Sequence, residues 1–140
     1  MSDPVDMLSF AELVVRMGEY LDQQQAALRE IIVMRLSGPG PFTLNAVDHS
    51  GKALLVSNGA SAATIEVHLP ANGAERTVFL ITRYGPAPVK IIADAGGALR
   101  NARAHNGPAE RYSEGVVKCI GNAGGTAAEW LLSGDTAAIA

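Results

Sequence analysis

Between Met7 and Arg35 apolar residues return every three and four positions, a pattern that no other part of the chain repeats. With Met7, Val14, Leu21 and Leu28 at the a positions of a heptad and Phe10, Met17, Gln24 and Ile31 at d, only Gln24 breaks an apolar seam. A helix needs that spacing to press one stripe against partner helices. The g positions, Leu13, Tyr20, Ala27 and Met34, are mostly apolar too. A two-stranded coil buries a narrow seam, so the widened stripe points to three or more helices, or to a helix lying on its own domain. A buried Gln24 would fix register and strand number at some loss of stability.

The start of this helix is marked twice, by Asp3 before Pro4 and by Ser9 with Glu12 as a capping box. Glu12, Arg16, Glu19, Asp22, Gln23 and Glu30 form the opposite, solvated face. Gly18 lowers helix propensity by about 1 kcal/mol relative to alanine, which fits either a close helix approach or a tolerated defect. The run Ile31, Ile32, Val33, Met34 is apolar all round, consistent with burial on every side or with a switch to a strand. Ser37-Gly38-Pro39-Gly40-Pro41 then stops any helix. A continuous helix over residues 9–37 would span about 43 Å. The expected organisation is a helical oligomerisation arm over 1–37, a Gly/Pro linker over 38–41 and a β-domain over 42–140.

After Pro41 the period changes to two, and turn residues recur at the spacing of a compact all-β domain. The expected strands are Phe42 to Val47, Ala53 to Ser57, Ala63 to Leu69, Thr77 to Arg83 and Val89 to Ala95, with Gly115 to Ile120 and Ala127 to Leu132 as a closing hairpin. Asn72-Gly73 reads as a hairpin turn after Leu69, and Thr77 to Arg83, apolar on both faces, as a central strand. Gly96 to Ser113 reads as a long surface excursion, the place for a ligand or partner contact outside the helix. The expected fold class is mainly β: a compact antiparallel sandwich or barrel-like domain behind one long N-terminal helix.

Composition narrows the function. Only 18% of the residues are charged while 48% are hydrophobic, which suggests a surface partly covered by partners. The net charge of −3 includes just three lysines, so no basic footprint for nucleic acid or an anionic membrane is expected. Asp3 and Asp6 do not make a basic n-region, and no apolar run reaches the roughly 18 residues of a membrane span; cytoplasmic synthesis is expected. Cys119, the one cysteine, sits in an apolar run as a small core residue.

Motifs for catalysis are missing from the sequence. Gly121 to Thr126 is glycine-rich but lacks the Lys-Ser/Thr of a phosphate loop. His49, His68 and His105 are scattered, Ser113 has no neighbouring histidine, and Glu66 and Glu129 occupy the polar positions of alternating strands. No enzyme activity, cofactor or metal is expected. Trp130, flanked by Leu131 and Leu132, reads as a core anchor, the other reading being a carbohydrate platform. Arg83, Tyr84, Arg111 and Tyr112 are of the residue types that interfaces recruit, and with Arg100 and Arg103 of the excursion they are the candidate partner contacts.

Three stretches, Asn58 to Gly73, Val78 to Gly97 and Tyr112 to Asp135, together resemble a small β-domain of structural proteins of tailed bacteriophages. The pieces that carry the likeness are Leu69-Pro70-Ala71, then Gly85, then the strand from Val89 to Gly97, then Lys118 with Ile120-Gly121, and the terminal Trp130 to Asp135. Domains of that kind occur at tail-fibre ends and in head-fibre or capsid-decorating proteins. The resemblance implies a homotrimeric virion protein whose partners are the major capsid protein or other virion proteins. A tail-attached adsorption or adaptor protein is the alternative, and a cellular carbohydrate-binding module a further one.

Overall fold

A computed structural model of the chain describes residues 10–21 and 32–140. It forms two units, divided between Ile31 and Ile32, and each is described by itself. In the first unit residues 10–21 are helical (α1), with Glu12 and Arg16 paired one turn apart at 3.8 Å. Of the heptad seam, Phe10, Val14, Met17 and Leu21 lie in α1, whereas Met7, Gln24, Leu28 and Ile31 lie outside the described residues.

The second unit is mainly β. Its elements are β1 (Val33–Ser37), β2 (Phe42–Thr43), the short helix α2 (Ala46–His49), β3 (Ala53–Ser57), β4 (Ile65–Leu69), β5 (Val78–Arg83), β6 (Val89–Ala93), β7 (Ala98–Arg100), β8 (Gly107–Pro108), β9 (Glu114–Asn122), β10 (Ala128–Gly134) and β11 (Thr136–Ala137). They build a six-stranded sheet in the order β1-β3-β5-β9-β10-β7, a three-stranded sheet β2-β4-β6 and a pair β11-β8.

From β1 to β6 the chain crosses to the other large sheet at every step, so each strand returns beside the one laid down two strands before. Val33 thus lies beside Ala53 and Ala53 beside Leu80 in one sheet, and Ile65 beside Val89 in the other. Pairs formed this way are parallel, because the intervening strand serves as the crossover that parallel neighbours require. The antiparallel expectation therefore fails for the first half of the domain and holds for β9, which pairs antiparallel with both β5 and β10. The expected hairpin at Asn72-Gly73 is corrected likewise: β4 and β5 belong to different sheets.

Gly73 is a glycine for another reason. A Cβ there would overlap the six-membered ring of Trp130, so the close approach of backbone to indole excludes every other residue.

Three further expectations change. The apolar run before Ser37 ends in strand β1 and not in helix, since its backbone pairs with β3 from Val33 onward; the arm stops short of residue 37, and the β-domain starts ahead of the Gly/Pro segment. Phe42 to Val47 is a strand for Phe42–Thr43 alone, after which Asn45 caps α2 by accepting from the Asp48 amide at 2.8 Å. The Gly96 to Ser113 excursion contains β7 and β8 and is tied down by Asn101, whose side chain donates to the Leu132 carbonyl and accepts from the Arg103 and His105 amides.

Alternation places the core. Leu54 and Val56, Ile65, Val67 and Leu69, Phe79 and Ile81, Val89 and Ile91, Val117 and Cys119, and Ala128, Trp130 and Leu132 are buried while their neighbours along each strand are not, and they form one cluster fed by both large sheets. Each large apolar side chain so buried contributes roughly 1.5–3 kcal/mol. Trp130 lies at the centre, fully buried and stacked on Phe79 with ring centroids 5.3 Å apart. The core expectations for Trp130 and Cys119, and the central place of β5, agree with this arrangement.

Candidate functional site

Three of the six arginines and tyrosines singled out in the β-domain, Tyr84, Tyr112 and Arg111, come together, and they gain a member. Tyr84 follows β5, its amide bonded to the Val56 carbonyl at 2.9 Å. Tyr112 stands on the turn before β9, its amide bonded to the Arg83 carbonyl at 2.6 Å, while the Arg83 amide bonds to the Ser113 carbonyl at 3.2 Å. These bonds extend the β5–β9 ladder by one step and set the two phenol rings edge to face, with centroids 5.7 Å apart and planes at 71°. Arg111 lies over the Tyr112 ring at 5.1 Å. The new member is Arg35 of β1, which lies over the Tyr84 ring, also at 5.1 Å. Register brings it within reach: Arg35 pairs with Leu55 and Leu55 with Thr82, so Tyr84, two residues past Thr82, lies on the same face across β3, a span the long arginine side chain covers. The result is a row of cation, ring, ring and cation across three strands and a turn.

Arg83 plays a different part. Its Nε donates to the Gly85 carbonyl at 3.2 Å and its Nη2 to the Pro86 carbonyl at 2.6 Å, so it braces the turn after β5 and does not present its charge. Arg100 sits apart on β7 and pairs with Glu129 at 3.3 Å across an exposed edge, an ion pair worth at most about 1 kcal/mol. Arg103 is in the loop after β7 and exposed, and lies over neither tyrosine ring. Among the described residues Arg35 and Arg111 have no carboxylate within ion-pair distance.

Tyr112 is held in an unusual backbone. Its φ is +72°, in the left-handed region that side chains rarely adopt, and its side chain is 65% exposed. Such a conformation costs of order 1 kcal/mol and persists only where surrounding structure fixes it. Here the fixing groups are visible: the Ser113 hydroxyl donates to the Asp135 carboxylate at 2.6 Å, the Ser113 amide bonds to the Glu110 carbonyl, and the Asp135 backbone bonds both Ala109 and Glu114. Arg35 escaped sequence reasoning because it was assigned to the helical arm. Its only signal was the alternative strand reading of the run before it, which puts Arg35 on an outward position.

A second polar group lies on the three-stranded sheet. His68 of β4 bonds Asp94, just past β6, through Nδ1 at 3.0 Å and Glu66 on its own strand through Nε2 at 3.2 Å. With both ring nitrogens facing carboxylate oxygens, the charged imidazolium is favoured and the pKa is raised, first by the Asp94 bond and then by Glu66, against a partial desolvation that lowers it. Glu66 is thereby engaged with His68 and Glu129 with Arg100, so the two glutamates serve separate cations. Because the folded pKa lies above the ordinary value of about 6.5, the stabilisation is fully present below that value and fades as pH rises through the raised one. His68→Gln should lower the melting temperature at pH 5.5 and leave it unchanged at pH 8.5, by an amount matching a few tenths of a kcal/mol for so accessible a trio. An equal loss at both pH values would show that His68 contributes by packing and not by charge.

In α1 the side chains of Phe10, Leu13, Val14, Met17, Tyr20 and Leu21 are all exposed, and at three- and four-residue spacing they lie along one side of the helix. No protein-family model, curated protein or solved structure matches the chain.

Proposed function

We propose that this chain is a non-enzymatic structural protein of a phage virion, a homotrimer that decorates the head as a cement protein or as the base of a head fibre. The observation that carries the reading is the apolar stripe of α1. Six large apolar or aromatic side chains on one side of α1 are each more than half exposed. The stripe covers a, d and g positions, a width suited to three helices. The β-domain adds support: the outer face of its six-stranded sheet keeps Leu55, Leu80, Val116 and Leu131 half-buried, a surface fit for contact with other proteins. In this reading the two large sheets face one another as a sandwich over the shared core. The phage resemblance of the segments from Asn58 to Asp135 supplies the virion setting, and the low share of charged residues agrees with a surface that is covered in use.

Quantitative mass spectrometry of purified particles tests the proposal through the ratio of this chain to the major coat subunit. Head decoration requires hundreds of copies per particle, in a number compatible with trimers at equivalent lattice positions. A few copies would move the protein to the tail or the portal vertex, and none would remove the virion reading altogether.

A further inference from the structure

The row formed by Arg35, Tyr84, Tyr112 and Arg111 uses two aromatic rings as a bed for two guanidinium groups, and this arrangement selects among partners. A guanidinium held over a ring still has N–H donors to offer, in a planar fork shaped for a carboxylate. Neither arginine spends its fork on a carboxylate of the described residues. Among the described residues the two cations therefore have no ion-pair partner, on a chain whose net charge is −3. The strained backbone of Tyr112 adds a second, independent sign. The turn could relax its φ of +72° with a glycine, yet it carries an exposed tyrosine, locked in place through Ser113 and Asp135. A residue held against its backbone preference and left open to solvent marks a site where position matters more than stability.

We propose that this row is a docking surface for an acidic segment of another protein, whose aspartate or glutamate side chains are taken by the forks of Arg35 and Arg111 with the tyrosines as the apolar floor between them. A saccharide fits less well. Sugar binding to tyrosine uses an open ring face, and here an arginine lies over one face of each ring. Tyrosine and arginine are also the residues in which protein interfaces are enriched. The proposal does not depend on the virion reading, because any acidic partner of this geometry would satisfy it.

The test uses the full chain and a fluorescein-labelled oligoglutamate peptide as the probe, followed by fluorescence anisotropy. The peptide should bind, and binding should weaken as salt rises from low to physiological ionic strength. Replacing both Arg35 and Arg111 with Gln should weaken it about tenfold or more, the loss expected when charge-assisted hydrogen bonds are removed. Arg103→Gln, at an exposed arginine outside the row, should leave affinity unchanged. Tyr112→Gly, whose backbone accepts the left-handed conformation freely, should lower affinity while leaving the melting temperature the same or higher. Failure of the peptide to bind would overturn the proposal, as would equal binding by the double variant or an equal loss in Arg103→Gln. Binding of a uronic-acid oligosaccharide in place of the peptide would overturn it in favour of an acidic glycan.

Discussion

Trp130→Ala is expected to destabilise the protein by about 3–5 kcal/mol, the range for truncating a large buried aromatic side chain. The magnitude follows from where the indole sits. Trp130 is completely buried, stacks on Phe79 of β5 and abuts the Gly73 backbone, so its removal opens a cavity bordered by both large sheets and by the segment that joins them. Phe79 cannot swing into the space without abandoning its own place in the core, where it too is fully buried. The loss is a large fraction of the 5–15 kcal/mol typical of a folded domain. Urea denaturation of the full chain should show the midpoint falling in proportion. A small loss would mean that the site collapses around the missing ring. The burial also decides how Trp130 can be used: a fully enclosed indole offers no face to a sugar, so the carbohydrate-platform reading of this residue is corrected.

Gly107→Ala should cost nearly as much, about 3 kcal/mol, although it adds a single methyl group. A Cβ on Gly107 would overlap the Val89 carbonyl oxygen and come within 2.8 Å of the Ile139 Cγ1. The first clash is with backbone and cannot be relieved by a change of rotamer. Val89 begins β6, which is paired along its length with β4, and the neighbouring Asn106 carbonyl accepts from the Ile91 amide at 2.7 Å. To make room, β8 has to move away from β6 and give up that bond together with its pairing to β11. Overpacking of a tight site generally costs 1–3 kcal/mol, and the rigidity of the obstacle places this substitution at the top of that range. Gly59→Ala, where a Cβ would meet open space and only the backbone conformation is disfavoured, is the control and should cost about 1 kcal/mol. Equal losses at the two positions would show that β8 yields easily.

These two residues illustrate what the chain discloses before it is folded. Trp130 was legible as a core residue because Leu131 and Leu132 follow it in an apolar run, and β3, β4, β5, β6, β9 and β10 were legible as apolar or alternating runs between turn residues. A period of two tells which face of a strand is buried, but it carries no information about which strand lies alongside. The parallel pairing of β4 with β6 was therefore hidden, and Asn72-Gly73, a strong turn signal, pointed to the wrong neighbour. The glycines that matter most by contact, Gly73 and Gly107, were indistinguishable from turn glycines, because their partners Trp130 and Val89 are remote in the chain.

The candidate surface was half legible. Tyr84 and Tyr112 stood out by residue type, and the structure puts their rings in contact. Arg83 belonged to the same pattern but points its charge at its own turn, a use that residue type cannot reveal. Arg35 was concealed by an apolar run that satisfies helix and strand equally well. Which one forms is decided by the edge of β3, a tertiary partner that the local sequence does not contain.

The winding of the chain between the two large sheets also bears on the order in which the domain assembles. From β1 to β6 every strand finds its neighbour one turn of the winding away, so each pairing closes a chain loop of similar, modest size. The antiparallel pair β9–β10 comes afterwards and inserts between β5 and β7, bringing Trp130 onto a surface already laid down by Phe79. The β9–β10 hairpin closes the shortest of these loops, but it is the last large piece of the chain to be synthesised, so during synthesis the windings precede it. The early windings would then exist for a time with their apolar side open, and arrival of the C-terminal hairpin would be the step that seals them from water. A chain released before Trp130 is made would hold most of its strands and none of its closure.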